Sequence, residues 1–387
     1  MMEFKNVSFI YLDHNATTPV DPEVLEAMMP YLRDEFGNPS SPYYLGIRAK
    51  EGLERARVEL AELLGCRSHE VVFTSGGSES NNMVLKGLID FKSPEKFHII
   101  TSAIEHPAIL NPVLYLMELG VKVTILPVDQ LCRVDPASVE KSITSQTTLI
   151  TVMLANNETG TLQPIKEISQ IAKTHGIPVH TDAAQAVGKI EVNVNDLGVD
   201  FLTIAGHKLY GPKGVGGLFI RDGQRITPLI HGAGQEGGKR PGTENIILDV
   251  GLGAASRIAR KRLKDDYQYM EDVRNRLQEL LFQNLDALVL NGHPHLRLPN
   301  TLNIAVPGIE GGRILDALPN MMASTGAACH DRSVKLSHVL SAMGIPPEIG
   351  MGALRFSVGR SNTIDQIEAA ADAIIRQVKR LRDEGKK

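Results

Sequence analysis

From Glu70 to Ile220 the chain alternates short apolar runs with amphipathic or polar stretches. The runs EVVFT, FHIITS, VKVTILP, TLITVML, PVHTD, VDFLTIA and GGLFI are each five to seven residues long and are rich in Val, Ile, Leu and Phe. Runs of that length, continuously apolar and separated by helical or loop segments, predict seven strands of a mostly parallel sheet with helices on both faces. Ahead of them a helix is expected after Asp21, which can cap it, with Pro22 in the first turn and Leu25, Met28, Met29 and Leu32 as its apolar stripe. The character changes after residue 257. A long charged segment with helical spacing runs from Ala259 to Gln283, followed by strand candidates TLNIAV and ALRFSV and a last helix. That helix opens with a capping box of Thr363 and Gln366, and its stripe is Ile367, Ala371, Ile374, Ile375 and Val378. The expected organisation is an α/β domain over residues 16–257 and a smaller α+β domain built from residues 1–15 and 258–387.

Composition narrows the function classes. The 387 residues are 42% hydrophobic and 22% charged with a formal net charge of −4, so no basic field points to nucleic acid or an anionic membrane surface. No apolar run approaches the length of a membrane span, and the N-terminus lacks a basic-then-apolar leader pattern. Three cysteines, Cys66, Cys132 and Cys329, make neither a disulfide framework nor a CxxC metal site. No metal is expected, and a reducing cytoplasm fits best.

Open parallel sheets bind ligands beyond the carboxyl ends of their strands, and those ends carry a suggestive set. EVVFT leads into SGGSESNN, where Gly77 and Ser78 at a strand-to-helix turn suit a phosphate or simply make a tight turn. The next ends deliver His106, then Asn156 and Asn157, then Asp182 and Gln185, then His207 and Lys208. Each alone reads as an ordinary polar strand end; together they suit pyridoxal phosphate. That cofactor needs a lysine for its imine, an acid opposite its ring nitrogen and a phosphate cradle. Lys208 is the candidate for the first, Asp182 for the second and the Gly77–Ser78 turn for the third. His106 is placed to stack on the ring, Gln185 to reach the ring hydroxyl and His207 to contact phosphate. Further on, Cys329 in STGAACHDRS sits among small and polar residues, which reads as a mobile exposed loop, although a structural cysteine is the alternative. Arg355 in ALRFSVGR needs an anionic partner, either a substrate carboxylate or a structural salt bridge.

The motifs YLDHNATTP, FGNPSSP, FTSGGSESNN, EHPAIL, LANNETG, HTDAAQAVGK, DFLTIAGHKLYGPKG, RPGTEN, STGAACH and LRFSVGR occur in this order from residue 11 to 360. In that set and order the chain resembles the cysteine desulfurases and the related selenocysteine lyases, within the class V aminotransferase-like group. The resemblance implies fold type I and a pyridoxal-phosphate enzyme that converts L-cysteine to L-alanine. Sulfur would pass to Cys329 as a persulfide and on to an acceptor or scaffold protein. It places Lys208, Asp182, Gln185, His106, Gly77, Ser78 and His207 in the roles already described. It adds Thr243 as a residue that reaches the phosphate of a second subunit, implying a homodimer with shared sites. Asn15, Asn157 and Arg355 fall on substrate-binding positions, Asn157 also touching the cofactor, and His106 doubles as an acid/base group. Ala205 stands where many desulfurases have serine, which leaves one phosphate contact open, with Thr203 as the residue that would compensate for it. GAACH and SSPY look more like selenocysteine lyases, whereas Pro107 after His106 is the desulfurase pattern. The alternatives are therefore a selenocysteine lyase and, in a different class, an idle sulfur-transfer scaffold.

Overall fold

The computed structural model describes residues 9–325, 327–330 and 333–385, and side chains throughout these except at 327–330 and 333–335. All seven anticipated strands form one sheet. Its order is Val71–Thr74, Gly216–Ile220, Phe201–Ala205, Val179–Asp182, Thr147–Thr151, His98–Ser102, Lys122–Leu126. Gly216–Ile220 runs antiparallel to both neighbours, and the other pairings among these strands are parallel. Phe201–Ala205 is buried at every residue because helices cover both faces. Its register sets Asp182 opposite Thr203, which brings two of the strand ends named above to the same edge.

The first helix, Pro22–Arg33, is capped as expected by the Asp21 carboxylate accepting from the Glu23 N–H. Its buried stripe is Val24, Met28 and Tyr31, whereas Leu25 and Leu32 are exposed. Two helical registers overlap at Met28, and the one that packs against Gly52 and the long helix wins. A second helix, Tyr44–Leu64, was not anticipated. The long helix runs Ile246–Asn284, starting well before Ala259. Its first half packs into the core of the large sheet through Leu252, Ile258 and Ala259; Met270, Val273 and Leu277 pack into a separate core with Leu302, Phe356 and Ile374. That second core lies beside an antiparallel sheet ordered Ser324–Thr325, Ala353–Ser357, Thr301–Ala305, Val289–Leu290. The final helix, Ile364–Glu384, has its capping box and its anticipated stripe buried. The segment read as a loop around Cys329 is instead a ribbon: Ala327–His330 pairs antiparallel with Ser333–Leu336.

Candidate active site

The glycines after Lys208 have a geometric reason. Gly76 has φ +150°, a conformation that L side chains rarely adopt. A Cβ at Gly216 would lie 2.7 Å from the Gly76 backbone, so the phosphate-type turn can approach the sheet only over glycine. Tyr210 then turns the chain at φ +64°. It is held there by its N–H donating to Thr18 Oγ1 at 2.8 Å and by the Arg360 guanidinium, 4.2 Å above its ring. Restraints on both sides hold a costly backbone angle two residues from Lys208.

Lys208 Nζ donates to the carbonyls of Asn15 and Ala16, the latter at 2.8 Å. Burial, reinforced by Arg355, lowers its pKa to about 8, against opposing pulls from Asp13 and Asp182. Such an amine is deprotonated far more readily than a surface lysine. Asp182 ends its strand with Oδ1 accepting from the Ala184 N–H at 3.0 Å and Oδ2 accepting from Asn81 Nδ2 at 2.8 Å. The carboxylate is thus fixed in orientation as well as place.

Gly77 and Ser78 begin the helix Gly77–Gly87, whose N-terminus has no side-chain cap, which leaves its first N–H groups available to an anion. A Cβ at Gly77 would rest 3.6 Å from the Ala205 methyl; Ala205 thus offers the turn a methyl group where a serine would offer a hydroxyl. Thr203 does not replace it, since its hydroxyl is bonded to His180 Nε2 at 3.0 Å. His207 Nδ1 is 3.1 Å from Thr17 Oγ1, and burial, with Lys208 next, lowers its pKa to about 4. His106 caps the helix Pro107–Glu118 by accepting from the Ala108 N–H at 3.1 Å. Desolvation holds its imidazole below the usual range, Asp182 opposing and Lys208 and His338 adding to it.

Asn15 is fully buried. Its Nδ2 donates to Thr301 Oγ1 at 2.9 Å and to the Asn157 carbonyl at 3.2 Å. Gln185 Nε2 donates to the Asn15 carbonyl at 3.0 Å. Arg355 donates to Asp13 Oδ1 at 2.6 Å, Ser324 Oγ at 2.9 Å and the Asn157 carbonyl at 3.1 Å, leaving its buried Nε without a partner. The salt-bridge alternative for Arg355 is therefore present in the fold, with one donor still unused. Thr243 is exposed on the loop before the long helix. The Cys329 side chain lies outside the described residues; its backbone pairs with Val334.

Four residues around this site went unnoticed in the sequence: Asn81, Asp13, Lys189 and Glu105. Asn81 carried a faint signal, a weak helix former in the first turns of a helix. Glu105 lies wholly buried beside His106, its carboxyl pushed up to about 8 by burial. Among the described residues no cluster of three or more His, Cys, Asp or Glu could hold a metal.

A family model described as Aminotransferase class-V matches residues 10–370. The chain belongs to the class-V aminotransferase family. A protein named cysteine desulfurase IscS from Dictyoglomus turgidum is 44% identical over 375 residues, 96% of this chain and 95% of that one. The protein of the same name from Methanosarcina thermophila is 44% identical over 97% of this chain and 93% of its own length. Among solved structures, a NifS-like protein superposes with a TM-score of 0.90 at 37% identity, covering 96% of this chain and 99% of that one. One titled SspA in complex with cysteine gives 0.81 at 37% identity, over 92% and 100%. Pyridoxal phosphate is the cofactor of this family, and the residues present fit it: an uncapped helix N-terminus for phosphate, a lysine of lowered pKa and a clamped carboxylate.

Proposed function

We propose that this class-V aminotransferase relative is a cysteine desulfurase, converting L-cysteine to L-alanine and a Cys329 persulfide. The observation that carries the reading is how the Cys329 ribbon is rooted. Just before it, Ser324 Oγ donates to Asp13 Oδ2 at 2.9 Å and accepts from Arg355. Just after it, Ser337 Oγ donates to Glu158 Oε2 at 2.5 Å, and His338 Nε2 donates to the Glu105 carbonyl at 3.0 Å. Both ends are tied to the strand-end cluster, so the ribbon bearing Cys329 begins and ends at the site.

When bound, pyridoxal phosphate supplies an aldehyde for an amine to condense with and a ring that withdraws electrons from the substrate's α-carbon. Lys208 would hold the cofactor through Nζ, and its freed amine would move a proton from the substrate's α-carbon. Asp182, held by Asn81, would keep a proton on the ring nitrogen. Gly77, Ser78 and His207 would hold the phosphate. Asn157, and Gln185 together with His106, would contact the ring, while Asn15 and Arg355 would bind the substrate. The Cys329 thiolate attacks the substrate sulfur: the S–S bond forms, the Cβ–S bond breaks, and Cβ takes the electron pair and a proton. The balance is L-cysteine plus thiol giving L-alanine plus persulfide, with His106 the acid/base group near the sulfur.

Arg355→Ala should raise KM for L-cysteine by roughly 2–4 kcal/mol of lost binding, since it removes the cation that would pair with the substrate carboxylate. Asp13→Asn separates the roles: it breaks the salt bridge but keeps the guanidinium, so KM should move far less. Steady-state kinetics decide; an unchanged KM in Arg355→Ala returns that residue to a purely structural part.

The enzyme is further proposed to be a cytoplasmic homodimer in which Thr243 completes the neighbour's phosphate site, supported by its exposure before the long helix. No described helix is long and apolar enough to cross a membrane, and Cys66 and Cys132 are free thiols. A protein acceptor for the persulfide sulfur completes the cycle. The direct test incubates the holoenzyme with L-cysteine and a thiol reductant and measures alanine and sulfide, with L-selenocysteine alongside. Equal amounts of alanine and sulfide are expected. Alanine from selenocysteine alone would move the substrate to the selenium amino acid.

A further inference from the structure

Lys189 is a buried cation of the HTDAAQAVGK motif to which the mechanism gives no task. It is 4% exposed, and among the described residues no carboxylate lies within ion-pairing distance of it. A buried lysine without an acid is costly, so its position calls for a compensating contribution. Its Nζ donates to Gln185 Oε1 at 3.0 Å and to Asn15 Oδ1 at 3.1 Å. Asn15 Oδ1 also accepts from Asn300 Nδ2 at 3.0 Å.

A side-chain amide has an accepting end and a donating end of nearly equal shape. The amine fixes which is which. With Oε1 of Gln185 drawn to Lys189, the NH2 end points the other way, where it donates to the Asn15 carbonyl. That same carbonyl accepts from Lys208 Nζ. The donor end of Gln185 is thus presented on the side of the lysine that carries the cofactor, and the donor end of Asn15 on the side of Asn157 and Thr301.

We propose that Lys189 is a positioning residue that sets the amide polarity of Gln185 and Asn15, so that Gln185 offers an N–H rather than a carbonyl to the ring oxygen of the bound cofactor. The inference rests on the pyridoxal-phosphate reading of the site. Burial, then Lys208 and Arg355, lower the pKa of Lys189, and its two described contacts are both to amide oxygens. The charged and titratable groups coupled to it are Lys208, Arg355, His14 and His207.

An N–H donated to an ionised ring oxygen stabilises the anion, and a carbonyl in its place destabilises it and favours protonation of the neighbouring imine. The test is a pH titration of the visible absorption band of the holoenzyme without substrate. Lys189→Met keeps the length of the stem and removes the donor; its midpoint should rise by about one pH unit, with several-fold weaker retention of pyridoxal phosphate. Lys189→Gln, which still donates one N–H, should fall between that variant and the wild type, and serves if Lys189→Met does not fold. In a Gln185→Ala background, Lys189→Met should add little, because the effect runs through Gln185. An unmoved midpoint in both Lys189 variants overturns the proposal, as does a full shift in the Gln185→Ala background. A wild-type protein that shows no such band with pyridoxal phosphate would instead sink the cofactor reading itself.

Discussion

Lys208→Ala should lower turnover of L-cysteine by at least about 10⁴-fold while leaving the protein folded. The size follows from the two tasks proposed for one amine: holding the cofactor and moving the α-carbon proton. Losses of groups that both form a covalent bond and transfer protons are of this order. The fold should tolerate the change. Among the described residues Lys208 Nζ donates only to the carbonyls of Asn15 and Ala16, which Gln185 and water can serve, and removing the cation relieves repulsion with Arg355. In the wild-type apoprotein the neutral amine is the reactive form. Uptake of pyridoxal phosphate should therefore quicken with rising pH and level off above about 8, where the Lys208 amine is already mostly deprotonated. Stopped-flow absorbance reads the uptake, circular dichroism the fold, and alanine release the turnover. Near-wild-type alanine release from Lys208→Ala would remove the centre of the functional reading.

The parts of this site that sequence alone made legible are those that depend on local order. A parallel sheet presents the carboxyl end of each strand at one edge, so the residues after FHIITS, TLITVML, PVHTD and VDFLTIA share a neighbourhood before any contact is known. His106, Asn157, Asp182 and Lys208 become candidates that way. The pairings that hold them do not. Asn81 meets Asp182 across 101 residues, Lys189 meets Asn15 across 174 and Arg355 meets Asp13 across 342. No spacing rule joins such partners. The fold shows the same division. Ile364–Glu384 was legible because large aliphatic residues mark its buried stripe. Tyr44–Leu64 was not, because it buries Gly46, Ala49, Gly52 and Ala56, small residues that allow close approach to the long helix but leave a weak hydrophobic period. Around Cys329 the small residues suggested a loop, and ribbon pairing overrode that local composition.

Cys329→Ser separates this enzyme from other pyridoxal enzymes that would share Lys208 and Asp182. Only an attacking thiolate can accept the substrate's sulfur as a persulfide, and a free cysteine is only a few per cent ionised near neutral pH. The other two thiols are poorly suited. Burial pushes the Cys66 and Cys132 thiols up to about 12, and Cys132 is completely enclosed. Serine keeps the size of the side chain and loses the soft nucleophile. The variant should bind pyridoxal phosphate with the wild-type spectrum and change that spectrum on adding L-cysteine. It should then fail to release alanine, falling by at least about 10³-fold. In the wild type, brief exposure to L-cysteine followed by peptide mass spectrometry should show ~32 Da added to the peptide containing Cys329, one sulfur atom as a persulfide. Sulfur found only on the Cys66 or Cys132 peptides would place the acceptor thiol elsewhere. Alanine released from L-cysteine by Cys329→Ser at the wild-type rate would show that C–S cleavage needs no enzyme thiol. Loss of activity on L-cysteine alone, with L-selenocysteine still turned over, would identify a lyase in which selenium leaves without being carried by the protein.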